Sequence, residues 1–200
     1  MKKIFKENSY DIVKLYVNQL GIMIFSMLLY TAVGSFDNES LSSSLSIFVS
    51  IFSTCFYLVL VYYAMWELGA KDKIRIDGGR MEPCKHKGLV MGLFANVPNI
   101  VLGALTVILL AVFLAGGGDG IYAGFLAFNT IMRFHASMWL GFITALVPSG
   151  LSAGTIDYVE FLIEAILFTV LPLVSVGVTH LAYTLGSKEK KIFSFLSGKK

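Results

Sequence analysis

Five ionisable side chains in the second half of the chain have types and spacings suited to binding an ion or a small polar solute. Arg133 and His135 come first, followed by Asp157, Glu160 and Glu164. The three carboxylates are spaced i, i+3 and i+7, so a helix would place them on one face. Arg133 lies within an apolar stretch, where an unpaired guanidinium is costly, and we expect it to pair with Glu164 or Glu160. The pattern predicts either a polar pocket or a salt bridge that joins two helices.

A second polar set lies in the third apolar stretch of the chain, where Asn96 and Asn99 share one face of a helix. Amides at membrane depth could coordinate a cation or bind a substrate, and they could equally join neighbouring helices. Asn18 and Gln19, in the first apolar stretch, would extend either arrangement.

Small residues and prolines in the same region predict a close helix contact and a kink. Gly88 and Gly92 form a Gly-x-x-x-Gly pair, and Gly103 continues the stripe, so two backbones can approach each other. Pro98 lacks a backbone donor and predicts a kink in this helix, and Pro172 predicts one in the last apolar stretch.

No arrangement of residues predicts catalysis or a bound cofactor. His135 points away from Arg133 on a helix and is expected to be a packing residue, while Cys84 and His86 supply only half of a metal site. The chain has no His-Glu-x-x-His or Cys-x-x-Cys motif and no phosphate-binding glycine loop. We therefore expect no enzyme activity, no cofactor, no metal and no nucleic-acid partner.

The composition indicates which kind of protein positions these groups. Hydrophobic residues make up 56% of the 200 residues and charged residues only 14%, against about 45–50% and about 25% in soluble domains. So few charges cannot cover the surface of a soluble domain. The sequence therefore predicts an all-α polytopic membrane protein with one membrane domain, residues 1–200.

Four apolar stretches are long enough for the roughly 20 residues that a membrane crossing needs. They cover residues 12–34, 45–66, 89–115 and 158–185.

The basic residues predict the orientation of these spans. Fifteen of the sixteen lysines and arginines fall before or at the very start of the first span, in the loop 67–88, or after the last span, and Arg133 is the exception. Because cytoplasmic loops are rich in Lys and Arg, we expect both termini and this loop in the cytoplasm. The basic part of the loop, residues 71–87, would attract anionic lipids. The location that we expect is the plasma membrane of a bacterium.

A fifth apolar stretch, residues 121–147, contains Arg133 and His135. If both the loop and the C-terminus are cytoplasmic, the chain crosses an even number of times between them. We therefore expect residues 121–147 to form a re-entrant pair of short helices or an interfacial helix on the outer side. The alternative is five transmembrane helices.

The polar groups and the two predicted kinks favour a small transport-type protein or the membrane subunit of a transporter. The alternative is a non-transporting scaffold, immunity-type or accessory protein, because four spans leave little room for a gated pathway. Either protein would have the lipid bilayer as its surroundings, with a second copy of the chain or another membrane subunit as candidate partners.

Overall fold

The computed structural model describes residues 5–6, 8–36, 38–147 and 158–190, and within these ranges the regular structure is helical. Asp157 of the predicted carboxylate face lies outside the described residues, as do the lysines at positions 2, 3, 191, 199 and 200.

Four helices are long and apolar enough to cross a membrane, which confirms the predicted all-α polytopic membrane fold. The first is α1 (Ser9–Val33) and the second is α2 (Glu39–Asp77). The third predicted span consists of α3 (Lys87–Ala95) and α4 (Val97–Leu114). The fourth consists of α7 (Tyr158–Val170) and α8 (Val174–Gly186), which a short 3-10 turn connects.

Both predicted prolines coincide with an interruption of a helix. Asn96 separates α3 from α4, with Pro98 in the first turn of α4, where its missing N–H breaks no helical hydrogen bond. Pro172 lies in the 3-10 turn Leu171–Leu173 between α7 and α8.

Glycines end two of the helices by adopting a left-handed conformation. Gly116 has φ +102°, and the amides of Gly116 and Gly117 donate to the carbonyls of Phe113 and Val112, which closes a Schellman motif after α4. Gly79, with φ +67°, ends α2 through the same pattern of hydrogen bonds.

Helix α2 is longer than the sequence analysis predicted. It has 39 residues and continues to Asp77, so the segment 67–88 is helical over its first half instead of being a loop. Between residue 66 and the Gly78–Gly79 pair the only glycine or proline is Gly69, and a single glycine does not end a helix, which therefore continues past the apolar stretch.

The segment 121–147 forms two helices separated by a break. Helix α5 (Asp119–His135) is followed by the 3-10 turn Ser137–Trp139 and by α6 (Leu140–Leu146). Both helices are shorter than the roughly 20 residues of a membrane crossing. The structure has two short helices here, as predicted, whereas their placement relative to a membrane, and the alternative of a fifth span, stay predictions.

The residues group into two compact units, each with its own interior. Unit 1 comprises Met1–Leu15, Leu58–Ala95 and Ser175–Lys200, and unit 2 comprises Tyr16–Tyr57 and Asn96–Val174. Leu110, Phe125 and Phe161 form a buried cluster in unit 2, where the rings of Phe125 and Phe161 meet edge to face with centroids 5.5 Å apart.

Large apolar side chains face outward on these helices, whereas many polar ones face inward. On α2, Phe48, Phe52 and Phe56 follow one another at four-residue spacing and are each about half exposed. An exposed apolar stripe of this kind is suited to lipid. The buried polar residues of unit 2 include Gln19, Ser26, Ser50, Ser53, Asn96, Asn99, Thr106 and Glu164.

Candidate functional site

The structure brings Arg133 of α5 and Glu164 of α7 together in unit 2. Arg133 Nη2 donates to Glu164 Oε2 over 2.6 Å, with 5% of the Glu164 side chain exposed and 33% of the Arg133 side chain. Of the two carboxylates predicted as partners, Glu164 accepts this hydrogen bond, and Glu160 lies one turn earlier on α7. Pairing removes most of the cost of burying either charge alone.

Arg133 also lines a cavity of about 380 Å³ in unit 2. The hydroxyls around it already donate to backbone carbonyls: Thr31 to Leu28, Thr130 to Leu126 and Ser137 to Met23. Each hydroxyl oxygen retains acceptor capacity, so the strong donor is the guanidinium, whose Nε is buried without a hydrogen-bond partner in the described part of the chain. The remaining lining residues are Met27, Tyr30, Phe134 and Leu140.

These groups limit what the cavity can bind. Glu164 balances the charge of Arg133, so a free anion has little net attraction to the pair. A solute with both a carbonyl or carboxylate and a donor group would satisfy the guanidinium and the hydroxyl oxygens at once. The apolar side chains would cover a small hydrocarbon part. The arrangement is suited to binding a small polar or zwitterionic molecule.

His135 takes no part in this cavity. Its side chain is buried, and its ring packs against that of Tyr16 with centroids 5.6 Å apart. The structure thus separates it from Arg133, as expected from their spacing on a helix.

The turn between α5 and α6, which the sequence analysis did not single out, is held by hydrogen bonds to side chains of α1 and α2. The amide of Gly141, at the start of α6, donates to the hydroxyls of Tyr30 and Ser50 over 2.8 Å each. Thr54 donates to the carbonyl of Met138. Side chains of α1 and α2 therefore bind the break between α5 and α6, which fixes the position of Arg133 at the end of α5.

The amides of α1 and α4 form a closed cluster in the same unit. Gln19 Nε2 donates to Asn99 Oδ1 over 2.8 Å, and Asn99 Nδ2 donates to Gln19 Oε1 and to Asn96 Oδ1 over 3.2 and 2.8 Å. All three side chains are at least 96% buried. Because the amides satisfy one another, this cluster joins two helices and offers few free groups to a solute.

Removing one member of this cluster leaves its partner buried and unsatisfied. We expect Asn99→Leu to lower the free energy of unfolding by about 1–3 kcal/mol. The double variant Gln19→Leu/Asn99→Leu should lose less than the sum of the two single variants. Thermal unfolding of the purified protein in detergent measures both, with Asn18→Leu on the adjacent, less buried position as the control. Additive losses would contradict the coupling.

The three predicted glycines lie at helix contacts. An added Cβ at Gly88 would lie 2.7 Å from the Cβ of Tyr183 and 2.8 Å from the carbonyl oxygen of Thr179, both on α8. Gly92 faces Thr179 in the same way, and Gly103 faces Thr169 of α7. The glycine stripe therefore allows the third predicted span to contact the fourth.

Unit 1 contains a buried ion pair that the sequence analysis missed. Lys87 Nζ donates to Asp72 Oδ2 over 2.6 Å, with 3% of the Lys87 side chain and none of the Asp72 side chain exposed. The hydroxyl of Tyr183 donates to the same oxygen over 2.9 Å. The sequence carries a signal for this burial, because Val61, Met65 and Gly69 continue at helical spacing to Asp72, whereas the charge pattern alone predicts a basic loop over residues 67–88.

Among the described residues, no group of three or more His, Cys, Asp and Glu side chains could hold a metal ion. No protein-family model, no curated protein and no solved structure shows a significant match to this chain.

Proposed function

We propose that the chain is a small solute-binding membrane protein of transport type, which works alone, as a homo-oligomer or as the membrane subunit of a transporter. The observation that carries this proposal is the pair Arg133–Glu164 beside a cavity of about 380 Å³, in a chain with four helices able to cross a membrane. An ionisable pair at such a place is a functional site by default in membrane proteins. The proposal includes no catalytic step.

The predicted topology indicates which side of the membrane the cavity faces. Its residues on α1, from Met27 to Thr31, precede the loop 34–38, which carries Asp37 and no basic residue. With the basic clusters in the cytoplasm, this end of α1 would face outward. The cavity would then receive its solute from outside a bacterial plasma membrane.

The alternative is a non-transporting scaffold, immunity-type or accessory protein, and one observation favours it. The amide cluster of Gln19, Asn96 and Asn99 is satisfied internally. If Arg133 and Glu164 likewise satisfy only each other, the role of the pair is to fix α5 against α7.

Reconstitution tests the transport proposal. The tagged chain is purified from its native membranes in mild detergent, its bound proteins are identified, and the preparation is placed in liposomes, with ATP supplied if an ATPase copurifies. Entry of amino acids, small carboxylates, amines and KCl is followed by light scattering. We expect at least one solute class to enter faster than into protein-free liposomes.

The variant Arg133→Gln tests whether that flux passes through the cavity at Arg133. It should reduce the flux about tenfold or more, because it removes a charged hydrogen-bond donor. Arg80→Gln, which removes an exposed arginine, is the matched control and should leave the flux unchanged. No flux above that of protein-free liposomes for any of these solutes would overturn the proposal.

A charge exchange distinguishes the alternative. If Arg133→Ala and Glu164→Ala each abolish accumulation, and Arg133→Glu/Glu164→Arg restores it, the pair is structural and the scaffold function is favoured.

A further inference from the structure

A second cavity, of about 410 Å³, is lined by residues of unit 1, and the charged side chains that the structure describes in its lining are all basic. Lys85 and His86 come from the segment before α3, while His180 and Lys188 come from α8 and the turn after it. Among the described residues that line it, none is Asp or Glu. We call it the basic cavity.

Among the residues that the structure describes, the two lysines of the basic cavity form no ion pair, in contrast to three lysines elsewhere in unit 1. Lys71 pairs with Glu67 and Lys73 with Asp77, both over 2.7 Å, and Lys87 pairs with Asp72. Within the described part of the chain, neither Lys85 nor Lys188 forms an ion pair. The positive charge of Lys85 and Lys188 is therefore available to a ligand in the cavity.

The histidines supply a second, independent indication of a ligand. The rings of His86 and His180 stack with centroids 6.5 Å apart and planes 17° apart. His180 Nδ1 is buried and has no hydrogen-bond partner among the described residues. A buried nitrogen without a partner is costly, and a ligand oxygen that displaced the atoms covering it would accept its hydrogen bond.

The hydroxyl groups of the lining already donate elsewhere, so the donors left for a ligand are those of Lys85, His86, His180 and Lys188. The hydroxyls of Thr184 and Ser187 donate to the carbonyls of His180 and Thr184. The hydroxyl of Tyr183 donates to Asp72. A ligand must therefore bring acceptor oxygens and negative charge to meet two ammonium groups and two imidazoles, and a phosphate group has both.

The position of the basic cavity favours a lipid as the source of that phosphate. It lies where α2 and α8 end and α3 begins, at one end of three predicted membrane helices. Ile74 and Leu181, close in sequence to lining residues on α2 and α8, are at least half exposed and are suited to contact acyl chains. We propose that the basic cavity binds the phosphate of an anionic lipid headgroup.

This site is independent of the cavity at Arg133, since it lies in the other unit and requires no transport. The full-length protein is purified in mild detergent, and native mass spectrometry measures retention of phosphatidylglycerol against phosphatidylcholine. The phosphatidylcholine headgroup carries a quaternary ammonium that the lysines would repel. We expect selective retention of one phosphatidylglycerol.

Two variants and a matched control test whether the lipid binds in the basic cavity. Lys85→Gln/Lys188→Gln should weaken its retention roughly 30-fold, since each lysine near a headgroup contributes about a factor of five. His180→Phe keeps a stacked ring, removes the orphan nitrogen and should also weaken retention. Lys71→Gln/Lys73→Gln removes the same charge from exposed positions of α2 outside the cavity and should change little.

Inorganic phosphate and glycerol phosphate, added as competitors, separate the two sources of phosphate. Displacement only at concentrations far above that of the lipid supports a headgroup site. Equal or better binding of the soluble phosphates would overturn the lipid as the ligand. Equal loss in both double-lysine variants, or no preference for phosphatidylglycerol, would overturn the site itself.

Discussion

Replacing Asp72 with alanine is expected to lower the free energy of unfolding by about 3–5 kcal/mol, the usual cost of leaving one partner of a buried ion pair alone. The ammonium of Lys87 would then stay 97% buried with no carboxylate 2.6 Å away, and the hydroxyl of Tyr183 would lose its acceptor. Equilibrium unfolding in mixed detergent micelles measures this loss. Lys87→Ala should also destabilise the protein but by less, because Arg75 Nη1 remains 3.6 Å from Asp72 Oδ1 and Tyr183 still donates to Asp72 Oδ2.

A second ion pair on the same helix supplies the control. Lys73 and Asp77 are 2.7 Å apart, about the same separation, but both side chains are at least one-third exposed. Water replaces a lost partner there, so Lys73→Ala should leave the unfolding midpoint unchanged. If Lys73→Ala and Lys87→Ala had equal effects, burial would not be the cause.

The double variant Asp72→Leu/Lys87→Met tests whether the penalty comes from the orphaned charge. Apolar residues of similar volume often replace a buried ion pair without loss. We therefore expect the double variant to be more stable than either single alanine variant. A loss equal to the sum of the single losses would contradict this explanation.

Adding a single methyl group at Gly88 is expected to destabilise unit 1 by about 1–3 kcal/mol, the usual cost of overpacking. The new Cβ would lie 2.7–3.0 Å from the Cβ of Tyr183, the carbonyl of Thr179 and the Cα of His180. None of these atoms can move without moving the α8 backbone. Thermal unfolding of Gly88→Ala in detergent, and its accumulation in membranes, measure the effect.

Gly177→Ala is the matched control on α8. Nothing lies within 4 Å of a Cβ built at Gly177, so this variant should be neutral or slightly stabilised by the better helix propensity of alanine. If both variants lost the same stability, the close contact at Gly88 would not be the cause of the loss.

The sequence by itself determined the class of the protein and the number of its long apolar helices. Both follow from local properties: enough consecutive apolar residues to cross a bilayer, and too few charges for a soluble surface. The breaks at Asn96 and at Leu171–Leu173 were also predictable, because proline restricts its own helix whatever the neighbours do. The glycine stripe on the third span was also predictable, because the four-residue spacing of Gly88 and Gly92 is a local feature of the sequence.

The tertiary structure decided which side chains meet. Glu160 and Glu164 share a helix face, and only the docking of α5 against α7 selects Glu164 as the acceptor for Arg133. Asp72 and Lys87 look like loop charges in the sequence, and packing against Tyr183 buries them. The basic cavity joins Lys85 to Lys188, which are about a hundred residues apart. Helix periodicity specifies the face that a residue occupies, whereas its partner depends on how helices distant in sequence pack.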